Sequence, residues 1–225
     1  MNYEIYQEEE VVKVSEQRCY DLREIRVADN NDKEKIIEGH AVIFEQKTNI
    51  GDFFFEVIDR HALDDADTLR DVPLVINHDW CQVPLARSRR NNGNSTLTLT
   101  IDDVGLAIRA KLDTENNQDA KKLYSAVERG DISGMSFAFR VGDEEWQNLD
   151  SDMPTRRIKK ISRVFEVSAV NFPAYEQTDI HARAKTTLES AKKALENARS
   201  QSLDGDKAKE LEIYRLKALI LGGLV

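Results

Sequence analysis

Three stretches of this chain carry residue types that together could activate a hydroxyl for attack on a carbonyl. The first is SGMSFAFRV, residues 133–141, whose β-branched and aromatic content predicts a strand. Side chains alternate across a strand, so Met135, Phe137, Phe139 and Val141 share one face. Gly134, Ser136 and Ala138 share the other. The first is a core face. The second is small, and Ser136 carries its only hydroxyl. A serine on a rigid strand with open space above it suits attack on a bulky carbonyl, although a small serine can equally pack beneath a helix.

A serine is a weak nucleophile unless a base lies within hydrogen-bond reach, and histidine is the usual base near neutral pH. The four candidates are His40, His61, His78 and His181. His40 falls inside an expected strand and reads as structural. His61 lies near a helix start among acidic residues, and His181 lies at the edge of the strand-rich region. His78 ends the apolar strand VPLVI, residues 72–76, beside turn-forming Asn77 and Asp79, where a loop held by a rigid scaffold can carry function or where a histidine can simply cap the surface. The third stretch is RVFEVSAVNF, residues 163–172. Alternation places Val164, Glu166, Ser168 and Val170 on one face and Phe165, Val167 and Ala169 on the other. Glu166 sits among apolar neighbours, so its carboxylate needs a partner. That partner is an arginine in a structural ion pair, or a nitrogen of His78 whose tautomer it would fix as the third member of a triad.

These residues need a framework, and the sequence reads mostly as short strands between about 20 and 182. Residues 36–44 and 53–58 are strand-like, and 95–112 reads as a hairpin joined at Asp102-Asp103-Val104-Gly105. A helix is expected at 117–129, capped by Asn116 or Asn117 and stopped by Gly130. Strands at 133–141 and 157–170 follow, and Pro173 ends the pattern. After Ala182 the composition turns to Ala, Leu, Lys and Glu. Helices are expected at 183–200 and 206–221, broken at Ser202–Gly205, with Leu211, Tyr214, Ala218 and Leu219 as an apolar stripe. The domain division is therefore 1–182 and a helical segment 183–225.

Composition narrows the function classes. The chain has 225 residues and a formal charge of −9. The first 70 residues hold 18 acidic and 9 basic side chains, so the excess is local. An acidic chain lacks the basic face of a general nucleic-acid binder. No apolar run approaches the ~20 residues of a membrane span, and the acidic start MNYEIYQEEE is unlike a signal peptide, so a cytosolic protein is expected. Cys19 and Cys81 stand far apart outside any CxxC setting, and the histidines lack metal-ligand spacing, so neither a cofactor nor a metal is expected.

The pieces GLAIRAKLDT, ERGDISGMSFAFRV and RVFEVSAVNFPAYEQTDI resemble the prohead (capsid maturation) protease family of tailed phages and prophages. INHDW followed by PLARS is similar to that family's histidine segment, EGHAVIFEQ to its opening strand, and EVIDRHAL to the segment after it. The resemblance spans about residues 20–182. His40 stands where an aromatic residue is usual and His61 where glycine is common, which bears on local packing rather than on the triad. The resemblance implies a serine endopeptidase related to the herpesvirus assemblins, an α+β, mainly antiparallel β-barrel surrounded by helices. It implies His78 as base, Ser136 as nucleophile and Glu166 as third member. The herpesvirus enzymes use a second histidine there; this chain has none between Ser136 and Pro173, which leaves Asp79 and Asp131 as alternatives to Glu166. Implied partners are the major capsid protein and its scaffold segment as substrates, the chain itself in self-cleavage, and a second copy in a homodimer, with no nucleic acid and no membrane. The expected location is the immature capsid in the bacterial host cytoplasm. A catalytically inactive scaffold or assembly protein of the same fold is the alternative.

Overall fold

A computed structural model describes residues 25–28, 34–65, 67–89, 92–171, 191–203 and 213, together with the backbone of 16–20. In chain order the strands are β1 (Glu16–Tyr20), β2 (Arg26–Val27), β3 (Lys35–Ile43), β4 (Thr48–Ile50), β5 (Phe54–Ile58), β6 (Pro73–Ile76), β7 (Ala86–Arg87), β8 (Leu97–Ile101) and β9 (Gly105–Leu112). Helix α1 (Gln118–Arg129) precedes the two longest strands, β10 (Gly134–Gln147) and β11 (Thr155–Val170). A further helix occupies 191–203. No helix among the described residues is long and apolar enough to cross a membrane.

The long antiparallel β10–β11 hairpin is the spine of the larger sheet, ordered β1-β10-β11-β5-β4. β11 is long enough to serve two parallel neighbours in succession. Thr155–Ile158 pairs with β5, and Val167–Ala169 pairs with β6, which itself carries β7. The smaller sheet is ordered β2-β3-β9-β8. Ile37, Val42, Leu106 and Ile108 of the small sheet join Met135, Phe137, Phe139, Ile161, Val164 and Val167 of the large one in a single apolar core. α1 adds Ala120, Leu123 and Val127 to it. Its N-cap Asn117 accepts from the amides of Asp119 and Ala120, and its C-cap Gly130 takes φ 77°, the left-handed conformation that glycine adopts without strain.

The α+β, mainly antiparallel architecture is as expected, but the barrel is not. Among the described residues the ladders form two open sheets, because neither sheet's edge strands pair to close it. β10 also runs past its expected end at 141. Its polar continuation GDEEWQ is held by partners elsewhere in the chain: Trp146 meets Phe54 edge-on at 5.2 Å, and Glu144 binds Arg156. The helix expected at 183–200 is described from 191 onward, where Ala191 and Leu195 are buried. The helix expected at 206–221 and its apolar stripe lie outside the described residues except at position 213.

Candidate active site

β6 delivers His78. It lies parallel to the end of β11, with Val75 opposite Ser168 and Ile76 opposite Ala169. Immediately beyond it the chain turns back through Asn77 and His78, with φ of 49° and 57°, and the Asp79 amide donates to the Ile76 carbonyl at 3.0 Å. Two successive left-handed residues inside such a bond form a type I′ turn, which asparagine tolerates well and histidine less so. The turn is fastened to β11. Asn77 N donates to Ala169 O at 3.0 Å, its side-chain oxygen accepts from Asn171 N at 3.1 Å, and His78 N donates to Ser168 Oγ at 2.9 Å.

This geometry points the imidazole along the site face of the spine. His78 Nε2 is 2.7 Å from Ser136 Oγ, and His78 Nδ1 is 2.6 Å from Glu166 Oε1. A carboxylate can only accept, so the Nδ1 proton points at Glu166 and Nε2 faces the serine hydroxyl as an acceptor. Glu166 is 1% exposed and His78 15%, so the pair is shielded from water. Ser136 is fully buried, which corrects the expectation of open space above it: the His78 turn lies over that face.

The strand alternation that selected these residues breaks within β11. Ala138 pairs with Glu166 but the next residue, Phe139, pairs with Val164, so Phe165 is an extra residue in a β-bulge. Val164 therefore faces the core with Phe139, while Glu166 faces the site with Ser136 and Ala138. The bulge also brings Phe165 to the site face, where its ring lies 6.2 Å from that of Trp80. Sequence alternation alone put Val164 beside Glu166 and Phe165 opposite; only the register reveals the change.

The other candidates are placed elsewhere. The Asp79 carboxylate accepts from Cys81 N at 3.0 Å, and Asp131 binds the Arg129 guanidinium at 2.8 Å. His40 binds Asp102 at 2.9 Å on the small sheet, and His61 binds Asp64 at 2.9 Å in the loop after β5. His181 lies outside the described residues. Ser168 is the residue that sequence reasoning passed over. It is fully buried and bridges His78 N to the Val75 carbonyl, a role that requires knowing that β6 runs beside β11.

A hydroxyl, an imidazole and a carboxylate joined in line by two short hydrogen bonds form the arrangement used for nucleophilic acyl transfer. The profile of the caudovirus prohead serine protease family matches residues 21–194, and the chain belongs to that family. It is 30% identical over 164 residues to the prohead protease of Enterobacteria phage HK97, covering 72% of this chain and 66% of that protein. The chain thus spans just under two thirds of that relative's length. Among solved structures, the bacteriophage T4 capsid assembly protease aligns with a TM-score of 0.38 at 11% identity, over 70% of this chain and 96% of that one.

Proposed function

We propose that the protein is a serine endopeptidase of prohead maturation in which Ser136 is the nucleophile, His78 the general base and Glu166 the orienting carboxylate. The observation that carries the reading is the unbroken line Ser136 Oγ to His78 Nε2 and His78 Nδ1 to Glu166 Oε1, at 2.7 and 2.6 Å. Ser136 Oγ attacks the scissile carbonyl while His78 Nε2 takes its proton. The imidazolium then gives that proton to the leaving amine, and Glu166 stabilises the charged ring through the Nδ1 proton. Water, deprotonated by His78, next attacks the acyl–Ser136 ester and restores the free serine. The substrates are the scaffold segment and the major capsid protein inside the immature capsid in the host cytoplasm, followed by the enzyme itself. The catalytic unit is residues 1–182, with 183–225 as a helical segment beside it, and two copies form a dimer.

The test is mass spectrometry of the chain co-expressed with its cognate capsid protein, wild type against Ser136→Ala. Processing by the wild type and none by the variant is the expected result. Processing by Ser136→Ala at a comparable rate would remove the nucleophile assignment.

A further inference from the structure

The bulge in β11 builds a second feature on the same face as Ser136. Along β10 the site face carries Ser136, Ala138 and then Arg140, which pairs in register with Arg163 of β11. Both guanidinium groups lie over the Phe165 ring, at 5.2 Å for Arg140 and 5.4 Å for Arg163. The other side of this cluster is Trp80, two residues after His78 and half exposed. Arginine–aromatic contacts of this kind are individually modest, and two like charges sharing one ring repel each other.

Most arginines of the described fold bind a carboxylate or a backbone carbonyl. Arg87 binds Asp71, Arg129 binds Asp131, Arg156 binds Glu56 and Glu144, and Arg157 binds Glu45 and Asp59. Arg140 and Arg163 make no such ion pair with any described residue, and Arg140 Nε is buried without a hydrogen-bond partner among them. In a chain with an excess of acid, two adjacent guanidinium groups that no described residue neutralises, at the edge of a site, suit an external anion.

We infer that Trp80, Phe165, Arg140 and Arg163 form a substrate subsite that takes an acidic side chain, Glu or Asp, of an extended polypeptide. The inference rests on the proposed peptidase reading, because it uses Ser136 as its point of measurement. Arg140 lies four positions along the strand from Ser136, roughly 13 Å at about 3.3 Å per residue. An extended peptide advances at the same rate, so the recognised acid lies about three to four residues from the scissile bond. The aromatic rings support the stem of that side chain, and the guanidinium fork holds its carboxylate.

The experiment uses labelled twelve-residue peptides in which one Glu is moved through an uncharged Ala/Ser/Leu/Gln background, with Gln and Lys counterparts at each position. Binding is read by anisotropy on full-length Ser136→Ala, and cleavage on the wild type. The expected result is one preferred position at which Glu outbinds Gln by about tenfold and Lys by more, with the margin shrinking as salt rises from ~0.05 to ~0.5 M. Arg140→Gln with Arg163→Gln should erase the Glu-over-Gln margin, and Arg163→Glu should shift it towards Lys. Equal binding of Glu and Gln peptides at every position overturns the subsite, whether or not the wild type cleaves. A Glu preference in binding with no cleavage by the wild type upholds the subsite and counts against the peptidase reading instead.

Discussion

His78 is held at three points: one ring nitrogen against Ser136, the other against Glu166, and its own amide on Ser168 Oγ. The third contact matters because the residue sits at φ 57°, a conformation that costs a non-glycine residue of the order of 1–2 kcal/mol. Something must hold the turn there, and Ser168 does so from within the core. Ser168→Ala leaves the His78 amide without its acceptor, which costs about 1–3 kcal/mol and loosens the turn. The expected outcome is a lower urea midpoint together with a fall in peptide hydrolysis of about tenfold, although Ser168 touches no substrate. Unchanged hydrolysis in a destabilised variant would show that the turn holds itself. Glu166→Gln tests the other anchor. An amide can present its NH2 group to Nδ1 and favour the wrong tautomer, so turnover should fall by about 10²–10⁴-fold with the fold intact, as judged by circular dichroism. His78→Ala should equal Ser136→Ala in effect and not add to it, since the two act as one unit.

At the scale of elements, the site depends on β11 lying between β10 and β6, and the strands are legible in the sequence where their register is not. The strand at Ser136, the apolar strand before His78 and the strand through Glu166 are each legible from composition, as are α1 with its Asn117 and Gly130 caps and the β8–β9 hairpin. The bulge at Phe165 is not legible, because an extra residue in one strand is defined only by its partner. The same holds for the polar end of β10. Arg156 is 3% exposed and charged, tolerable because Glu56, from a strand far earlier in the chain, meets it at 3.2 Å. Short strands such as β4 and β7 lack the length for periodicity to register. Gly105, where the β8–β9 turn enters β9, offers a local test of how closely β9 packs against β3. A Cβ built on Gly105 would lie 1.9 Å from the Val42 carbonyl oxygen, in backbone that cannot move aside cheaply. Gly105→Ala should therefore cost about 2–4 kcal/mol, whereas Gly93→Ala, with nothing within 4 Å, should cost little. Equal melting temperatures for the two variants would refute that packing argument.

For the whole molecule, two attachments tie the start of β11 and its hairpin turn to the rest of the chain. The first is electrostatic. Burial pushes the Asp59 carboxyl up, but the His61 amide together with Lys159 and Arg157 outweighs it and holds the group below its ordinary 3.8. A carboxyl lowered in the folded state stabilises above the unfolded value and loses that contribution as pH falls through the folded one. Acid unfolding should therefore steepen below about pH 4, and Asp59→Asn should flatten part of that slope while lowering stability at neutral pH. The second attachment is the helix at 191–203. Ala191 and Leu195 are buried, Lys192 Nζ lies 3.3 Å from the Phe53 ring centroid, and Arg199 donates to the carbonyls of Leu149 and Ser151 at 3.1 and 3.2 Å. Leu149 and Ser151 belong to the turn that joins β10 to β11, whereas Ser136 lies at the opposite end of β10, on the order of 35 Å away along the strand. Removing 183–225 thus deletes a buried leucine, worth about 1.5–3 kcal/mol, and two hydrogen bonds at the end of the hairpin remote from Ser136. The truncated chain should melt about 5–10 °C lower yet hydrolyse a short peptide at a rate close to that of the full chain. On the proposed function, its entry into capsids or its dimerisation, read by co-assembly and sedimentation, should be impaired. An insoluble or inactive truncated chain would make the helix part of the catalytic fold, and an unchanged melting temperature would mean that its contacts add nothing.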